Sequence, residues 1–527
     1  MSDTVLIETS IEACLAAGIG EFVICAGARN LPIVTALAEL TDIQVWSHFD
    51  ERAAGFFALG RIMDSGYPCA VITTSGTAVA ELLPSVIEAH YQQRPLVVIT
   101  ADRPKSYRGT GAPQAIEQAG IFGPYVEHAV DLDASESADD VLADWSGASP
   151  YHINLCLDEP SLSTEWQLAG ELADFERVRE PLSNVTELVS FVHDHWRGLV
   201  VMLGGLEPED TEEVLHFLKE LGAPVIADAT SGLREQLGKL ALVQGDALLK
   251  ATPPGKVLRI GEVPVGRFWR DLENMPDVDV LSVTRTGFSG LSRPSTVVTG
   301  GISRCLRGMG EPPKVGDVLD ILRLSKRNQA QVLELLEAYP ESEPGMIYQI
   351  SMLATEGESV YLGNSLPIRE WNDFAQREIP HELVRANRGA NGIDGQISSW
   401  LGTTAVDSGA WGIFGDLTTM YDLSSLAILP QINREKRVLV VINNGGGRIF
   451  EQLPAVRELD EALVKVIANE HKTHFSSWAE MWGLDYHQIT GIEQLDVELS
   501  EETSVIEVIP DAKQTAAFWQ SIKRLSS

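Results

Sequence analysis

The sequence predicts an α/β protein of three domains, each built on a doubly wound and mostly parallel sheet. Short apolar runs alternate with helical stretches from Phe22 onward, which is the pattern of strand–helix–strand crossovers. The 527 residues also exceed what one hydrophobic core can serve, since single cores stop growing at roughly 250–300 residues. We place the three domains at residues 1–180, 181–335 and 336–527.

In the first domain, apolar runs bounded by polar or small residues predict the strands. They are Phe22 to Cys25, Ile43 to His48, Cys69 to Thr73, Leu96 to Thr100 and Tyr151 to Leu157. The predicted helices are Leu31 to Leu40, Ala53 to Met63 and Thr77 to His90. A polar, acidic stretch is expected at Asp131 to Trp145, and a linker at Asp158 to Pro181.

The other two domains show the same alternation. Predicted strands of the middle domain are Leu199 to Gly205, Pro224 to Ala227, Lys256 to Ile260 and Val278 to Val283. Gly204-Gly205 lacks the spacing of a dinucleotide fingerprint, so we interpret it as a packing turn. Strands of the third domain begin near Val360 and continue at Trp411 to Phe414, Val438 to Ile442 and Ser504 to Val508, with Leu423 to Ile432 as a crossover helix.

The amino-acid composition argues against some classes of binding partner and some cellular compartments. The 40 basic and 75 acidic residues give a formal charge of −35, which argues against a nucleic-acid or anionic-membrane partner. The five cysteines are scattered without CxxC spacing, and this favours a reducing compartment. The N-terminus has no basic flank followed by a long apolar stretch, so we expect no signal peptide, no membrane span and a cytoplasmic protein.

Two strand ends in the third domain predict a cation site. Asp416 follows one buried run, and Asn444 follows the next, before the glycines at 445–447. The carboxyl ends of neighbouring parallel strands meet at one edge of the sheet. A carboxylate, an amide oxygen and a backbone carbonyl there can share one hard divalent cation and leave coordination positions for phosphate oxygens. This pattern indicates a magnesium–diphosphate anchor.

Glu51 has two interpretations. It opens a helix directly after the strand that ends at His48. Taken alone, it is best explained as an acidic first turn that complements the helix dipole, worth under about 1 kcal/mol. A carboxyl at the end of a parallel strand, with its pKa raised by apolar surroundings, can instead exchange protons. The polar turns at 74–77, 102–103 and 109–118 are either helix caps or the rim of a substrate site, and they add weight to the second interpretation.

Four arginines follow predicted strands, namely Arg29, Arg103, Arg369 and Arg388. Each alone is more often a surface ion pair. A guanidinium group matches a carboxylate with paired hydrogen bonds. Four of them at equivalent sheet edges in so acidic a chain therefore indicate a substrate with several carboxylates.

Six segments together resemble one family. They read GARNLP, FDERAAG, TSGTAVA, NRGANGIDG, GDLTTMYDL and NNGGGRIF. The chain is similar to the thiamine-diphosphate-dependent 2-succinyl-5-enolpyruvyl-6-hydroxy-3-cyclohexene-1-carboxylate synthases of menaquinone biosynthesis. The match runs from about Cys25 to Gly123 and from Gly363 to Pro454, while the middle domain matches loosely.

The resemblance implies a cofactor and its ligands. The outer domains would have the thiamine-diphosphate-binding fold, the first binding the pyrimidine and the third the diphosphate, around a Rossmann-like middle domain. Asp416, Asn444 and the Gly446 carbonyl would hold magnesium or manganese. Glu51 would hydrogen-bond the aminopyrimidine ring and drive its tautomerisation, and Ile393 would support the bent cofactor. Further cofactor contacts would come from Ser75, Gly76 and Gly415.

The resemblance also implies the substrates and the assembly. The family decarboxylates 2-oxoglutarate and adds the four-carbon fragment to isochorismate. Its substrate contacts carry onto Arg29, Arg103, Gln114, Arg267, Arg369, Arg388 and an apolar wall of Ile449, Phe450 and Leu453. Family active sites lie between subunits, which implies a homodimer or homotetramer.

Departures from the family pattern leave alternatives open. Ala28 replaces a usual serine, Pro113 a usual asparagine, and Phe268 stands where a second basic residue is common, whereas Arg267 keeps the charge of a lysine. These changes concern the acceptor, because none touches Glu51 or the metal ligands. One alternative is a related decarboxylase or carboligase with another acceptor. The other is a non-catalytic binding protein, against which the retained cofactor residues argue.

Overall fold

The computed structural model describes residues 2–160, 165–175, 183–194, 198–316, 318–354, 358–381, 383–406, 410–453 and 455–525. The chain divides into two compact units. The first unit holds Met1–Val178, Gly389–Asp407 and Met420–Arg434, and the second holds Arg179–Arg388, Ser408–Thr419 and Glu435–Ser527. Parts of the predicted linker, the predicted border at 180/181 and Pro454 lie outside the described residues.

Three sheets carry the fold, and every pair of neighbouring strands is parallel. The first sheet contains β1 (Glu21–Ile24), β2 (Gln44–Ser47), β3 (Cys69–Thr73), β4 (Leu96–Asp102), β5 (His128–Asp133) and β6 (Tyr151–Cys156). The middle sheet contains β7 (Leu199–Leu203), β8 (Val225–Ala227), β9 (Lys256–Ile260), β10 (Asp279–Thr284) and β11 (Thr296–Thr299). The third contains β12 (Ser359–Leu362), β13 (Val384–Arg385), β14 (Ala410–Gly415), β15 (Arg437–Ile442), β16 (Asp485–Ile489) and β17 (Thr503–Val508). The predicted class, an α/β protein with three doubly wound parallel sheets, is confirmed.

Helices connect the strands. Those of the first half are α1 (Asp3–Ala16), α2 (Leu31–Leu37), α3 (Glu51–Ser65), α4 (Thr77–Glu81), α5 (Leu83–Gln92), α6 (Val185–His193), α7 (Thr211–Leu221), α8 (Gly245–Ala251) and α9 (Arg267–Asp271). Those of the second half are α10 (Ile302–Met309), α11 (Leu319–Ala338), α12 (Glu343–Leu353), α13 (Leu366–Phe374), α14 (Gln396–Thr403), α15 (Asp416–Tyr421), α16 (Glu461–Ala468), α17 (Ser476–Met481) and α18 (Ala512–Leu525). None of these helices has both the length and the apolar character that a membrane span requires.

The outer sheets share one topology. The first has the order β2-β1-β3-β4-β6-β5 and the third the order β13-β12-β14-β15-β17-β16, which is the same order of strands counted from each sheet's own first strand. The middle sheet has the order β11-β10-β9-β7-β8, the flavodoxin-like arrangement. In all three, the order of strands reverses beside the sheet's first strand. Ligands of such sheets bind at the carboxyl ends of the strands beside that reversal.

The central strands are completely buried, which explains why they were easy to find in the sequence. Every residue of β3, β4, β6 and β15 is buried. Because helices cover both faces of a parallel sheet, such strands read as continuous apolar runs. Predicted and observed strand ends agree to within two residues for these four strands.

Two local predictions are wrong, and one strand, β5, was not predicted. Thr77 to His90 is two helices rather than one, because Pro84 in the first turn of α5 has no N–H to continue the preceding helix. Leu423 to Ile432 is not an α-helix: α15 directly follows β14, and Ser425–Gln431 is a 3₁₀-helix that contains Pro430. The acidic stretch from Asp131 begins inside β5, a half-exposed strand at the edge of its sheet, where polar residues alternate with apolar ones.

In the first unit, α3 crosses α14 at very close range. A Cβ at Gly60 would lie 2.1 Å from Ser399 O, and a Cβ at Gly402 would lie 2.3 Å from Phe57 O. Ser399 Oγ also donates to Phe56 O across the same crossing, at 3.1 Å. The backbones of the two helices therefore meet through glycines, without side chains between them.

Candidate active site

The predicted site residues fall into two groups, one in each unit. The first unit holds Glu51, Ser75, Gly76, Ile393 and the substrate candidates Arg29, Arg103 and Gln114. The second unit holds the predicted metal ligands Asp416, Asn444 and Gly446, together with Gly415 and the remaining substrate candidates.

Helix α3 begins at Glu51, directly after β2. Its N-cap is Asp50, whose carboxylate accepts from Ala53 N at 3.1 Å and from Ser424 Oγ at 2.5 Å. Glu51 is half-buried, and its pKa is raised above the usual value chiefly by this burial, with the charges of Asp50 and Glu81 adding to the effect. Because Asp50 caps the helix, the Glu51 carboxyl is not needed as a cap. Since its pKa is raised, Glu51 holds a proton more readily than a solvated glutamate does.

The turn after β3 brings together three predicted residues. Gly76 has φ +90°, a conformation that favours glycine, and a Cβ there would make a tight contact of 3.2 Å with Gln114 Cα. Gln114 Nε2 lies 3.5 Å from the carbonyl oxygen of Ser75. Gly76 N donates to Gln118 Oε1 at 2.9 Å. Gln118 is fully buried and acts as an internal tie of this loop.

Ile393 lies half-buried in a loop that two buried carboxylates fix at its ends. Glu88 accepts from the backbone amides of residues 389, 390 and 391 at 2.6, 2.7 and 3.2 Å. Asp422 accepts from Gly395 N at 2.7 Å and Ile397 N at 2.9 Å. Burial raises the pKa of Asp422 to about 7. The backbone on both sides of Ile393 is thus held by hydrogen bonds that do not depend on its side chain.

Arg29 and Arg103 converge on one carboxylate. Arg29 is 7% exposed, and it donates to Leu157 O at 3.1 Å, Asp158 O at 2.8 Å and the Glu159 carboxylate at 3.1 Å. Arg103 Nη1 lies 3.8 Å from the same Glu159 oxygen, and Arg103 Nε donates to Pro113 O at 2.9 Å. The Glu159 side chain is 83% exposed. A solvent-exposed carboxylate therefore occupies the position between these two guanidinium groups.

The Asp416 carboxylate organises the turn after β15 in the second unit. Its Oδ2 accepts from Gly445 N and Gly446 N, both at 2.9 Å, and its Oδ1 accepts from Leu417 N at 2.7 Å. Burial raises the pKa of Asp416, and these amides together with His471 oppose the rise. His471 Nε2 lies 3.2 Å from Asp416 Oδ2. The strand ends that carry the predicted ligands are therefore adjacent, as the sequence indicated.

Asn444 is oriented by a buried acid at the start of α12. Its Nδ2 donates to both oxygens of Glu343, at 2.9 and 3.1 Å. Burial raises the pKa of Glu343 to about 7. With the amide nitrogen held in this way, Asn444 Oδ1 is buried and has no hydrogen-bond partner among the described residues. A buried acceptor without a partner costs about 1–3 kcal/mol unless something else binds it.

The residues present fit a hard divalent cation. The carboxylate of Asp416, the unpaired Oδ1 of Asn444 and a backbone carbonyl are the oxygen ligands that Mg²⁺ takes. At Gly446, φ is +132° and a Cβ would lie 2.5 Å from Ala468 O, so this turn requires glycine. At Gly415 a Cβ would meet nothing within 4 Å, which leaves open space beside the end of β14.

The substrate candidates of the second unit divide into three sets. Arg388 Nη1 donates to Asn364 Oδ1 at 2.7 Å. Arg267, Arg369, Ile449 and Leu453 line a common cavity of about 370 Å³. Phe450 is 37% exposed and is not part of the cavity lining. Phe268 is fully buried in an apolar cluster, so that position cannot present any group to the cavity.

Several residues of the site were not found from the sequence. They are Glu88, Glu343, Asp422, His471 and Arg270, the last lining the same cavity as Arg369. Glu88 lies outside the quoted motifs, whereas Asp422 lies within GDLTTMYDL, where only Asp416 was assigned a role. Glu343 stands in the first turn of α12, where an acidic residue is common for reasons of helix stability alone.

Comparison with known proteins places these features in context. Residues 6–121 match the family model described as thiamine pyrophosphate enzyme, N-terminal TPP binding domain. Three proteins named 2-succinyl-5-enolpyruvyl-6-hydroxy-3-cyclohexene-1-carboxylate synthase are similar along most of the chain. The protein of Akkermansia muciniphila is 50% identical over 97% of this chain and 96% of its own length. Those of Bdellovibrio bacteriovorus and Geobacillus thermodenitrificans are 41% and 31% identical, over 99% and 90% of this chain and 98% and 87% of their own.

Proposed function

The chain belongs to the family of 2-succinyl-5-enolpyruvyl-6-hydroxy-3-cyclohexene-1-carboxylate synthases, and we propose how its residues divide the work of that reaction. It is a thiamine-diphosphate-dependent enzyme of menaquinone biosynthesis. It decarboxylates 2-oxoglutarate and joins the remaining four-carbon unit to isochorismate. The observation that carries the division of roles is the buried, unpaired Oδ1 of Asn444 beside the Asp416 carboxylate.

For the metal, we propose magnesium or manganese held by Asp416, Asn444 and the Gly446 carbonyl. The oxygen-only donor set supports a hard cation. Glu343 supports the arrangement, since its two bonds to Asn444 Nδ2 leave Oδ1 available for the ion. Gly415 would leave room at the adjacent strand end for the cofactor diphosphate.

For the cofactor, we propose that Glu51 exchanges a proton with the aminopyrimidine ring. Its raised pKa supports this role, because a carboxyl that shares its proton readily can stabilise either form of the ring. Ser75 and Gly76 would contact the same part of the cofactor, and Ile393 would support its bent shape from a loop held at both ends. Bound thiamine diphosphate supplies the carbon centre that takes up the electron pair released by decarboxylation.

For the substrates, we propose that Arg29, Arg103 and Gln114 bind carboxylate groups in the first unit, and Arg267, Arg369 and Arg388 do so in the second. The Glu159 carboxylate supports the first assignment, because it accepts from Arg29 at 3.1 Å and lies 3.8 Å from Arg103 Nη1. Ile449, Phe450 and Leu453 would pack against the substrate carbon skeleton. Ala28 and Pro113 lack the serine and asparagine side chains that are usual in the family. Arg103 is still held in place, because its Nε donates to the carbonyl oxygen of Pro113.

A product assay tests the function as a whole. The enzyme is incubated with thiamine diphosphate, Mg²⁺, 2-oxoglutarate and isochorismate, and the coupled acid is detected by mass spectrometry. We expect one coupled product for each carbon dioxide released, and loss of both after removal of the metal with a chelator. Preferential coupling to an aldehyde acceptor instead of isochorismate would contradict the acceptor, and undiminished turnover without divalent metal would contradict the metal site.

For the assembly, we propose a homodimer or homotetramer with active sites between subunits, in which residues 1–180 bind the pyrimidine and 336–527 the diphosphate. The placement of Glu51 and Asp416 in different compact units is compatible with this. Mixing inactive Glu51→Gln subunits with inactive Asp416→Ala subunits tests it, after unfolding and refolding together. Shared sites predict about a quarter of the wild-type rate, by random pairing of subunits. No recovery of activity would place both residues in one subunit's site.

We also propose a cytoplasmic location. The five cysteines are all buried and unpaired, which suits a reducing compartment. Fractionation of the source cells followed by an immunoblot checks this, and recovery in the membrane or periplasmic fraction would contradict it.

A further inference from the structure

The cavity of the second unit has a lining that combines cations with apolar surface. Four arginines line it, namely Arg267, Arg270, Arg369 and Arg377. Apolar side chains line it as well, among them Leu366, Ile449, Leu453 and Trp519. Its volume of about 370 Å³ suits a small organic molecule. The chemistry of the lining fits a ligand that carries carboxylate groups on a carbon framework.

The lining also holds four acidic residues, Asp228, Asp246, Glu370 and Asp373, and burial raises the pKa of each. Asp228 accepts from Val265 N at 2.7 Å, and burial raises its pKa to about 7. Burial raises the pKa of Asp373 to about 7 as well. Burial lowers the pKa of Arg369 to about 10 and that of Arg377 to about 9, so both remain charged at neutral pH. Charged arginines and acids with raised pKa values both favour an anionic ligand in this cavity.

Three of the four arginines already have partners. Arg267 Nε donates to Asp271 at 2.9 Å, Arg369 Nη1 to Ser365 O at 2.6 Å, and Arg377 Nη2 to Asn372 O at 2.6 Å. Arg270, on the short helix α9, is different. Its side chain is exposed and has no hydrogen bond or ion pair with any residue in the described ranges.

Arg270 and Arg369 repel each other. The charge of Arg270 is one of the causes that lower the pKa of Arg369, after burial and Arg388. Two guanidinium groups that face one cavity repel each other until an anion lies between them. A carboxylate bound there would relieve this repulsion and form charge-assisted hydrogen bonds to both groups.

We propose that Arg270 is a further substrate-binding residue. Arg270 and Arg369 together bind a carboxylate of one of the two substrates. The inference rests on the proposed function and extends it by a residue that the sequence motifs do not include. Both substrates carry the required carboxylates. Ile449 and Leu453 in the same lining favour isochorismate, because they offer apolar surface to its ring.

The test compares Arg270→Gln with wild-type holoenzyme in steady-state kinetics, with each substrate varied in turn. Loss of one charge-assisted pair raises the KM of the substrate bound there about tenfold or more, while kcat stays within about threefold. A rise confined to isochorismate identifies the acceptor, and a rise confined to 2-oxoglutarate identifies the donor. Arg270→Lys should recover part of the loss, since it restores charge without the paired geometry.

Two further measurements separate this proposal from the proposed function. Arg304→Gln removes an exposed arginine from α10, outside the cavity lining, and should leave both KM values unchanged. Calorimetric titration of each variant with isochorismate alone measures binding without turnover. Equal affinities and equal KM values for Arg270→Gln and wild type would overturn the role of Arg270 while the reaction stands. Weaker binding to Arg270→Gln in an enzyme that forms no coupled acid would support Arg270 and overturn the reaction.

Discussion

At the scale of single residues, the site depends on acids that take no part in the chemistry. Glu88 holds three backbone amides before Ile393, Asp422 holds two after it, and Glu343 holds the amide nitrogen of Asn444. Each of these carboxylates replaces water as the partner of a buried polar group. Such supporting residues fix the geometry of the groups that touch the ligand.

Replacing Glu51 by Gln tests the proton role directly. The change keeps the size of the side chain and removes its ability to exchange a proton, so kcat should fall about a hundredfold or more, the scale of one general acid–base group. Asp50, which caps α3, is untouched, and the unfolding midpoint should therefore stay close to that of wild type. Steady-state rates and thermal unfolding measure the two effects.

Glu39→Gln is the matched control, because Glu39 is an exposed carboxylate of the same unit, outside the proposed site. It should leave kcat unchanged. Turnover of Glu51→Gln equal to that of the control would remove Glu51 from the mechanism.

The predicted metal ligands Asp416 and Asn444 lie in motifs at the ends of buried strands. Asp416 and Asn444 could be placed side by side because β14 and β15 are unbroken apolar runs. Glu343 and His471 could not, because they reach Asn444 and Asp416 from distant segments with no pattern of their own. Long-range partners of this kind are decided by tertiary packing, which local periodicity does not encode.

At the scale of elements, the crossing of α3 and α14 ties the helix that carries Glu51 to the helix that follows Ile393. Gly60 and Gly402 allow backbone contact there, and the Ser399 hydroxyl bonds the Phe56 carbonyl. The start of α3 and the end of the Ile393 loop are thus fixed relative to each other within the first unit.

Gly60→Ala should therefore destabilise the protein. The added Cβ would lie 2.1 Å from Ser399 O, which is backbone and cannot rotate away. Overpacking of this kind costs about 1–3 kcal/mol. Urea unfolding followed by circular dichroism measures the loss, and the activity should fall with it as α14 and the Ile393 loop shift.

Gly308→Ala in α10 provides the comparison, since its Cβ would lie 3.4 Å from Val185 Cγ1, an ordinary contact. There the better helix propensity of alanine should raise stability by up to about 1 kcal/mol. Equal effects of the two substitutions would mean that the α3–α14 contact does not constrain the fold.

The errors in element prediction have local causes. The break between α4 and α5 depends on where Pro84 falls in the turn, and the 3₁₀ geometry of Ser425–Gln431 surrounds Pro430. Both segments keep helical apolar spacing, so periodicity alone could not distinguish them from longer α-helices. Strand β5 was not predicted from the sequence because half of its residues are polar, as expected for a strand at the sheet edge.

At the scale of the whole molecule, the two outer sheets share a strand order that no sequence repeat revealed. Equivalent loops carry different chemistry: the turn after β3 holds Ser75 and Gly76, and the equivalent turn after β14 holds Asp416. The two outer sheets thus share their strand order, while the loops after equivalent strands differ in sequence. Fold was therefore predictable from the alternation of apolar runs, whereas the kinship of the two sheets was not.

Buried acids give the whole molecule a predictable response to pH. Burial raises the pKa of Asp228, Glu343, Asp373 and Asp422 to about 7 each, compared with about 4 in an unfolded chain. Between these values the folded state holds protons that the unfolded state has released. The free energy of unfolding therefore falls as pH rises through this window. The thermal midpoint of metal-free, cofactor-free enzyme should drop between about pH 5.5 and pH 7, the upper half of that window.

Asp373→Asn should make this drop smaller, because Asp373 titrates in the window and has no hydrogen bond among the described residues that the change would disturb. Scanning calorimetry of both proteins at matched ionic strength gives the comparison. A midpoint that climbs with pH over the same range would contradict the raised pKa values.

The middle sheet has the strand order of a nucleotide-binding domain, but its crevice is closed. At the carboxyl ends of β7 and β9, a Cβ on Gly204 would lie 1.9 Å from Glu262 O, and Glu262 N donates to Gly205 O at 3.0 Å. Adenine dinucleotides and ATP would find no opening for their phosphates between these strands. Turnover should consequently be indifferent to added NAD, FAD or ATP, and the proposed role of this domain is to present Arg267 and Arg270 to the substrate from α9.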